Sequence, residues 1–112
     1  MTYQAAARVL DALGDPTRRA VLELLRGGAR PVGELADQLP VSRPAVSQHL
    51  RLLKEAGLVR DRQQGTRRLY SVDASGLAGL RAYLESYWAS ALEAFEQAAE
   101  AEATATEKEE RR

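Results

Sequence analysis

Residues 41–57, VSRPAVSQHLRLLKEAG, read as one helix with two faces that need different partners. Val46, Leu50 and Leu53 recur at helical spacing and line one side, while Pro44, Ser47, Gln48, Arg51 and Glu55 fall on or near the other. Ser42 stands where an N-cap belongs. Pro44 fits the first turn because its missing N–H would be unpaired there anyway, and Gly57 can leave the helix with positive φ. The predicted helix is about four turns long. Its outward side joins short hydroxyl and amide groups, which can read base edges, to Arg43 and Arg51, which can take phosphate or guanine. An ordinary surface helix with a solvated polar face carries the same pattern, so the flanking segments decide between the two.

Immediately upstream, residues 33–39 predict a short helix with Leu35, Ala36 and Leu39 inward, and residues 40–42 form the turn that follows. A short helix, a tight turn and a longer capped helix make a helix-turn-helix. Downstream, residues 58–63 and 67–72 read as two strands joined by Gln64-Gly65-Thr66, with Gly65 supplying positive φ. A hairpin directly after such a helix is a wing. It carries Arg60, Arg62, Arg67 and Arg68, long cations able to reach a minor groove or the adjoining phosphates. The plain alternative is a solvated hairpin, in which four arginines beside one aspartate would repel one another.

Further out, residues 2–13 carry Ala6, Val9, Leu10 and Leu13 at helical spacing and end at Gly14. Asp15 and Pro16 then restart the chain as N-cap and first helical residue of a second helix to about Arg26, burying Ala20, Val21, Leu24 and Leu25. Arg18 and Arg19 sit in its first turn, where the helix dipole disfavours cations, so a nearby phosphate or carboxylate is expected. Residues 30–32 are too short for an independent strand but can add a brief edge. The last helix is capped by Asp73 or Ser75, begins near Gly76 and passes Phe95. It holds more large apolar residues than so small a core can cover. The excess predicts a two-fold dimer through Val9, Leu10 and Leu13 of the first helix and Leu80, Tyr83, Leu84, Tyr87, Trp88, Leu92 and Phe95 of the last. A small-ligand groove lined by Tyr83, Tyr87 and Trp88 is the alternative use of those aromatics. Residues 1–96 thus form one domain, mainly α with a small β-hairpin, and residues 97–112 a charged tail, frayed as a helix or disordered.

The formal net charge of zero hides a segregation of charge. Residues 1–72 carry 12 Lys and Arg against 7 Asp and Glu, residues 73–112 carry 4 against 9, and between 41 and 70 the ratio is 7 to 2. A phosphate backbone senses that local face and not the whole-chain sum. The absence of cysteine removes disulfides, thiolate metal sites and cysteine nucleophiles and leaves the redox compartment open. No run of 18 apolar residues and no leader-like segment occurs, so a cytoplasmic protein without a membrane partner is expected. His49, the one histidine, reads as a satisfied boundary residue that holds the helix or touches phosphate. No nucleophile-histidine-carboxylate arrangement and no glycine-rich phosphate loop can be argued, so no catalytic residue and no cofactor is expected.

Several motifs together carry a resemblance: Leu13-Gly14-Asp15-Pro16-Thr17-Arg18-Arg19, Val32-Gly33-Glu34-Leu35-Ala36, Val41-Ser42-Arg43-Pro44-Ala45-Val46-Ser47-Gln48-His49-Leu50, Leu53-Lys54-Glu55-Ala56-Gly57-Leu58-Val59, and Gly65-Thr66-Arg67-Arg68-Leu69-Tyr70. The chain resembles the ArsR/SmtB family of winged-helix transcription repressors over about residues 5–95. That resemblance implies a winged helix-turn-helix dimerising through its first and last helices, bound to a near-palindromic operator in double-stranded DNA and released by an effector. It places Ser42, Arg43, Ser47, Gln48 and Arg51 toward DNA and the wing residues Arg62, Arg67 and Arg68 on its backbone or minor groove. Many members sense metals through cysteines at the third helix or Asp-His pairs near the last. Here the third helix reads Val32-Gly33-Glu34-Leu35-Ala36-Asp37 and Asp73 has no histidine partner, so no metal site and no response to thiophilic metals is expected. The effector is unassigned. The competing function is a winged-helix module that binds protein or RNA, since a fold does not fix its function.

Overall fold

The computed structural model describes residues 3–111 as five helices and a three-stranded sheet. The elements run α1 (Tyr3–Leu13), α2 (Pro16–Leu25), β1 (Arg30–Pro31), α3 (Val32–Asp37), α4 (Arg43–Glu55), β2 (Val59–Gln64), β3 (Arg67–Val72) and α5 (Ala74–Glu110). All strands are antiparallel, in the order β1-β3-β2. β1 is the brief edge expected upstream of the short helix, pairing Arg30 with Tyr70 and Pro31 with Leu69. An edge is where proline is tolerated, because its missing donor breaks no interior ladder.

Local chemistry sets most boundaries. Asp15 caps α2 by accepting from the amides of Thr17 at 2.8 Å and Arg18 at 3.0 Å. The next two side chains explain the arginines in that first turn. Arg18 Nε donates to the Ala12 carbonyl and a terminal nitrogen of Arg19 to the Leu13 carbonyl, each at 2.7 Å. The orphaned C-terminal carbonyls of α1 thus serve as the main partners where a phosphate or carboxylate was expected, and two helix ends of opposite sign offset each other. The Asp15 carboxylate, 3.9 Å from Arg18, adds a weaker contact. The hairpin turn is two residues, tighter than the three expected, because Gln64 pairs with Arg67. Gly65 takes φ 62° at its first position and Thr66 has no positive φ, the φ pattern of a type II′ turn.

α4 ends in a Schellman motif: the Leu58 amide reaches the Leu53 carbonyl at 2.9 Å and the Gly57 amide the Lys54 carbonyl at 3.0 Å, with Gly57 at φ 78°. Leu53 and Leu58, the apolar pair that accompanies this motif, are both fully buried. They join Val9, Val21, Leu25, Leu35, Val46, Leu50 and Val59 in a single core between the helices and the sheet. Val9 therefore leaves the expected dimer surface, since it is wholly enclosed within its own protomer. The stripe of α1 that carries Ala6, Val9 and Ala12 faces the protomer's interior and turns Leu10 outward at 43 % exposure. Leu13 and Leu80 are half-buried against the same core, as are Leu22 and Tyr70.

α5 starts one residue after Asp73, whose carboxylate accepts from the Ser75 amide at 2.9 Å, so Asp73 and not Ser75 is the cap. The helix then runs 37 residues, continuing past position 96 into the charged tail. Tyr3 of α1 meets Tyr83 with ring centroids 6.0 Å apart, and beyond that point the helix projects clear of the domain.

A close backbone approach fixes where α5 begins. The Gly76 amide donates to the Gly57 carbonyl at 3.0 Å and the Asp73 amide to the Leu58 carbonyl at 2.8 Å. A methyl group on Gly76 would collide with the Gly57 carbonyl and with the backbone next to it. Backbone cannot swing aside as a long side chain can. Gly76→Ala is expected to lower stability by about 3 kcal/mol, at the upper end of overpacking costs. Chemical denaturation checks this, with Gly27→Ala, whose added methyl group would come no nearer than 3.9 Å to the Arg30 guanidinium, as the milder comparison.

Candidate nucleic-acid interface

The two sides of α4 separate as its sequence requires. Val46, Leu50 and Leu53 are buried, and Ser42, Arg43, Ser47, Gln48 and Arg51 are all exposed. On a helix advancing about 100° per residue, Arg43, Ser47, Gln48 and Arg51 span an arc of about 140°. The face therefore offers two guanidinium groups, a hydroxyl and an amide to one outside surface. Ser42 Oγ accepts from the Ala45 amide at 3.3 Å, which caps the helix and leaves the hydroxyl hydrogen free to donate outward. Arg51 lies 3.4 Å from Glu55 one turn on, a solvent-exposed pair weak enough to yield to phosphate. Arg43 has no ion pair among the described residues and rests near Gly33 of α3.

The wing arginines do not form a single patch. In the hairpin register Arg62 faces Leu69 and Gln64 faces Arg67, which puts Arg60, Arg62 and Arg67 on one side of the sheet. Arg68 lies on the other side, diagonal to Asp61, and its guanidinium meets that carboxylate at 2.8 Å. Lys54 of α4 reaches the second oxygen of Asp61 at 2.7 Å. Mutual repulsion among the four wing arginines is relieved within the protein for two of them, by Asp61 for Arg68 and by Glu34 of α3, 3.6 Å away, for Arg67. Arg60 and Arg62 have no ion pair among the described residues.

Asp61 is the residue whose role was hidden in the sequence. Its side chain is only 9 % exposed while both cations are about half exposed, so it tethers the last turn of α4 to the wing and leaves both positive groups partly outward. The hydrogen bond from Lys54, with that from Arg68, holds its carboxyl below the usual aspartate range against the opposing effect of burial. A lone acid among arginines reads in sequence as a minor dilution of charge; only the diagonal register shows it bridging two elements.

His49 corrects a second expectation. It is half-buried, and its Nδ1 is buried without a hydrogen-bond partner among the described residues, so it is not a satisfied boundary residue. It lies on the flank of α4 near Asp15, where it contributes to lowering that carboxyl, after the dominant hydrogen bond from the Arg18 amide. No group of three or more His, Cys, Asp or Glu suited to hold a metal occurs among the described residues. Nor do the aromatics of α5 line a common groove. Tyr83 and Tyr87 hydroxyls meet at 3.3 Å, whereas Trp88 borders a separate shallow cleft of about 410 Å³ with Leu77, Leu80 and Leu84.

A short helix, a turn, a capped helix with an exposed polar face and a cationic hairpin match known proteins in the same order. The family described as helix-turn-helix domain matches residues 13–62. The HTH-type transcriptional regulator Rv2034 of Mycobacterium tuberculosis is 54 % identical over 101 residues, covering 90 % of this chain and 94 % of that protein. This chain belongs to the ArsR/SmtB family of winged helix-turn-helix transcriptional regulators. The transcriptional repressor SdpR of Bacillus subtilis is 39 % identical over 62 % of this chain and 77 % of its own length. A solution structure of a possible ArsR-family regulator from Mycobacterium bovis, described as a homodimeric winged helix-turn-helix DNA-binding domain, superposes with a TM-score of 0.63. That domain is 33 % identical to this chain and covers 80 % of it and 83 % of itself. As a member of the family, the chain is a DNA-binding regulator of transcription.

The tether makes a pH-dependent prediction. A carboxyl lowered on folding contributes stability that is fully present above its unfolded value, about 3.9, and is lost as pH falls through the folded value. Asp61→Asn is expected to cost about 1–2 kcal/mol at pH 7, between the range for exposed pairs and that for buried ones. The gap between wild type and variant closes as the pH drops from 5 toward 2, as followed by thermal unfolding.

Proposed function

We propose that the chain is a dimeric repressor that reads a near-palindromic operator with Ser42, Arg43, Ser47, Gln48 and Arg51 of α4 and steadies the complex with Arg62, Arg67 and Arg68 of the wing. The observation that carries this reading is the outward face of α4: every one of those five side chains is exposed, although the same helix buries three apolar residues. An amide such as Gln48 can pair bidentately with adenine, and arginine likewise with guanine. Arg62 and Arg67, on the outer side of the hairpin, supply cations for phosphates or a narrow minor groove.

Dimerisation is supported by the exposed apolar surface of α5, where Leu84, Tyr87, Trp88 and Phe95 are each more than half exposed. A related domain is described as homodimeric, and a relative is named a repressor. Two recognition helices held about 34 Å apart would demand a near-palindromic site and double the phosphate contacts. A dimer seated on promoter DNA acts by occupancy, which requires no chemistry of its own. Operator release by thiophilic metals is not part of this reading, because the sequence offers no thiolate and a single histidine. No helix among the described residues is long and apolar enough to cross a membrane, and a regulator of chromosomal DNA in the cytoplasm needs none.

Fluorescence anisotropy on a genomic fragment selected by the protein, with a random duplex as control, tests the proposal. Gln48→Ala is expected to remove about 1–3 kcal/mol of discrimination between the two while leaving random-duplex binding nearly intact. Arg67→Ala should weaken both alike and reduce the dependence of log K on log salt by about 0.9 for the lost phosphate contact. A wild-type salt slope near zero would point instead to a module that binds protein.

A further inference from the structure

The outward face of α4 does not end at Arg51. Around the helix axis, at about 100° per residue, Lys54 falls between Arg43 and Ser47, and it stands in the last turn, next to the wing. Its ammonium meets one oxygen of Asp61 at 2.7 Å. Arg68 of β3 donates to the other oxygen at 2.8 Å, from the side of the hairpin opposite Arg62 and Arg67. One enclosed carboxylate therefore joins a cation of the helix to a cation of the wing. Each cation keeps donors to spare.

Two cations this close repel each other, and with nothing between them they would swing apart into water. Both are also long, flexible chains whose ordering costs free energy when a partner arrives. Asp61 deals with both effects in the free protein, since it offsets one of the two charges and holds the two heads on a common anchor. The place matters as well. In a duplex, one sugar-phosphate strand separates each major groove from the minor groove beside it. With α4 in the first and the tip of the wing at the second, that strand crosses between the last turn of α4 and β3. Lys54 and Arg68 stand there with side chains 55 % and 50 % exposed.

We propose that Asp61 is a positioning residue for DNA binding: it sets Lys54 and Arg68 side by side as one seat for the backbone phosphate that passes between α4 and the wing. The proposal rests on the DNA reading above and adds to it a contact, Lys54, and an acid that strengthens binding to a polyanion. Charge alone gives the opposite sign. Removing a carboxylate from a basic face raises its net positive charge and should tighten the hold on DNA. Asparagine has nearly the shape of aspartate, but its one carbonyl oxygen can serve one cation while its amide hydrogens face the other. The variant thus adds positive charge and dismantles the seat.

Asp61→Asn is therefore expected to bind the selected genomic fragment and the random duplex about tenfold more weakly, the cost of ordering two long side chains as DNA arrives. In an Arg68→Ala background, where only Lys54 remains to be ordered, the same substitution should weaken binding about threefold. Lys54→Ala should lower the dependence of log K on log salt by about 0.9, the mark of one lost phosphate contact. Fluorescence anisotropy reads all three, at a temperature where circular dichroism shows each variant folded. Should Asp61→Asn fail to fold, the salt slope of Lys54→Ala, in which Arg68 still holds Asp61, decides alone. Unchanged or tighter binding by Asp61→Asn would overturn the proposal, as would an equal loss in both backgrounds, which assigns the effect to the fold at large. An unaltered slope in Lys54→Ala would likewise overturn it, by removing the phosphate from the seat. A wild-type slope near zero is a different result and overturns the DNA reading itself.

Discussion

The amide of Gly76 donates to the carbonyl of Gly57, and the rest of the molecule is arranged around that contact. Gly57 closes the helix that carries the exposed polar face, and Gly76 lies in the first turn of the helix that carries the exposed apolar stripe. No side chain intervenes, so the two helices meet backbone to backbone and their relative position has little freedom. The Schellman turn at Gly57 supplies the direction of exit, and the bond from Asp73 to Leu58 supplies a second point of attachment. A displacement of α5 by a partner would load this joint as well as its packing on α1. That is the property the proposed dimer requires, since its pairing would set the spacing of the two α4 faces.

Charge is organised with the same economy. Several cations are held by groups of the protein: Arg18 and Arg19 close the end of α1, and Asp61 binds Lys54 and Arg68. On the α4 face and the wing, Arg43, Arg60 and Arg62 have no ion pair among the described residues. The exposed pairs of Arg51 with Glu55 and Arg67 with Glu34 fall between these cases, since water already screens them and a phosphate can compete. The candidate interface thus holds both paired and unpaired cations. A local excess of seven cations over two acids between residues 41 and 70 overstates how many are free to meet DNA.

Where periodicity and capping decide the structure, the sequence was readable. Ser42, Pro44 and the Val46-Leu50-Leu53 stripe define α4, Asp15-Pro16 defines α2, and Gly65 with its flanking strands defines the wing. The face of α4 followed from the same spacing. What escaped depends on contacts between segments distant in sequence. Val9 belongs to a stripe that fits a partner protomer as well as the chain's own core, and nothing in residues 2–13 distinguishes them; the position of α5 does. Gly76 reads as an unremarkable helix-start residue until the Gly57 carbonyl is found against it. Asp61 required the register of the hairpin, which set it diagonal to Arg68 and beneath Lys54. His49 was expected to be satisfied because most half-buried polar groups are, and its unpartnered Nδ1 has no signature in spacing or composition.

The most direct test of this account is to map the backbone amides of the 15N-labelled protein during titration with a selected genomic duplex. The largest shift changes should fall on residues 42–51 and 60–68, with residues 97–110 unmoved. Changes concentrated on α5, with the face of α4 silent, would contradict the assignment of DNA reading to that helix and its wing.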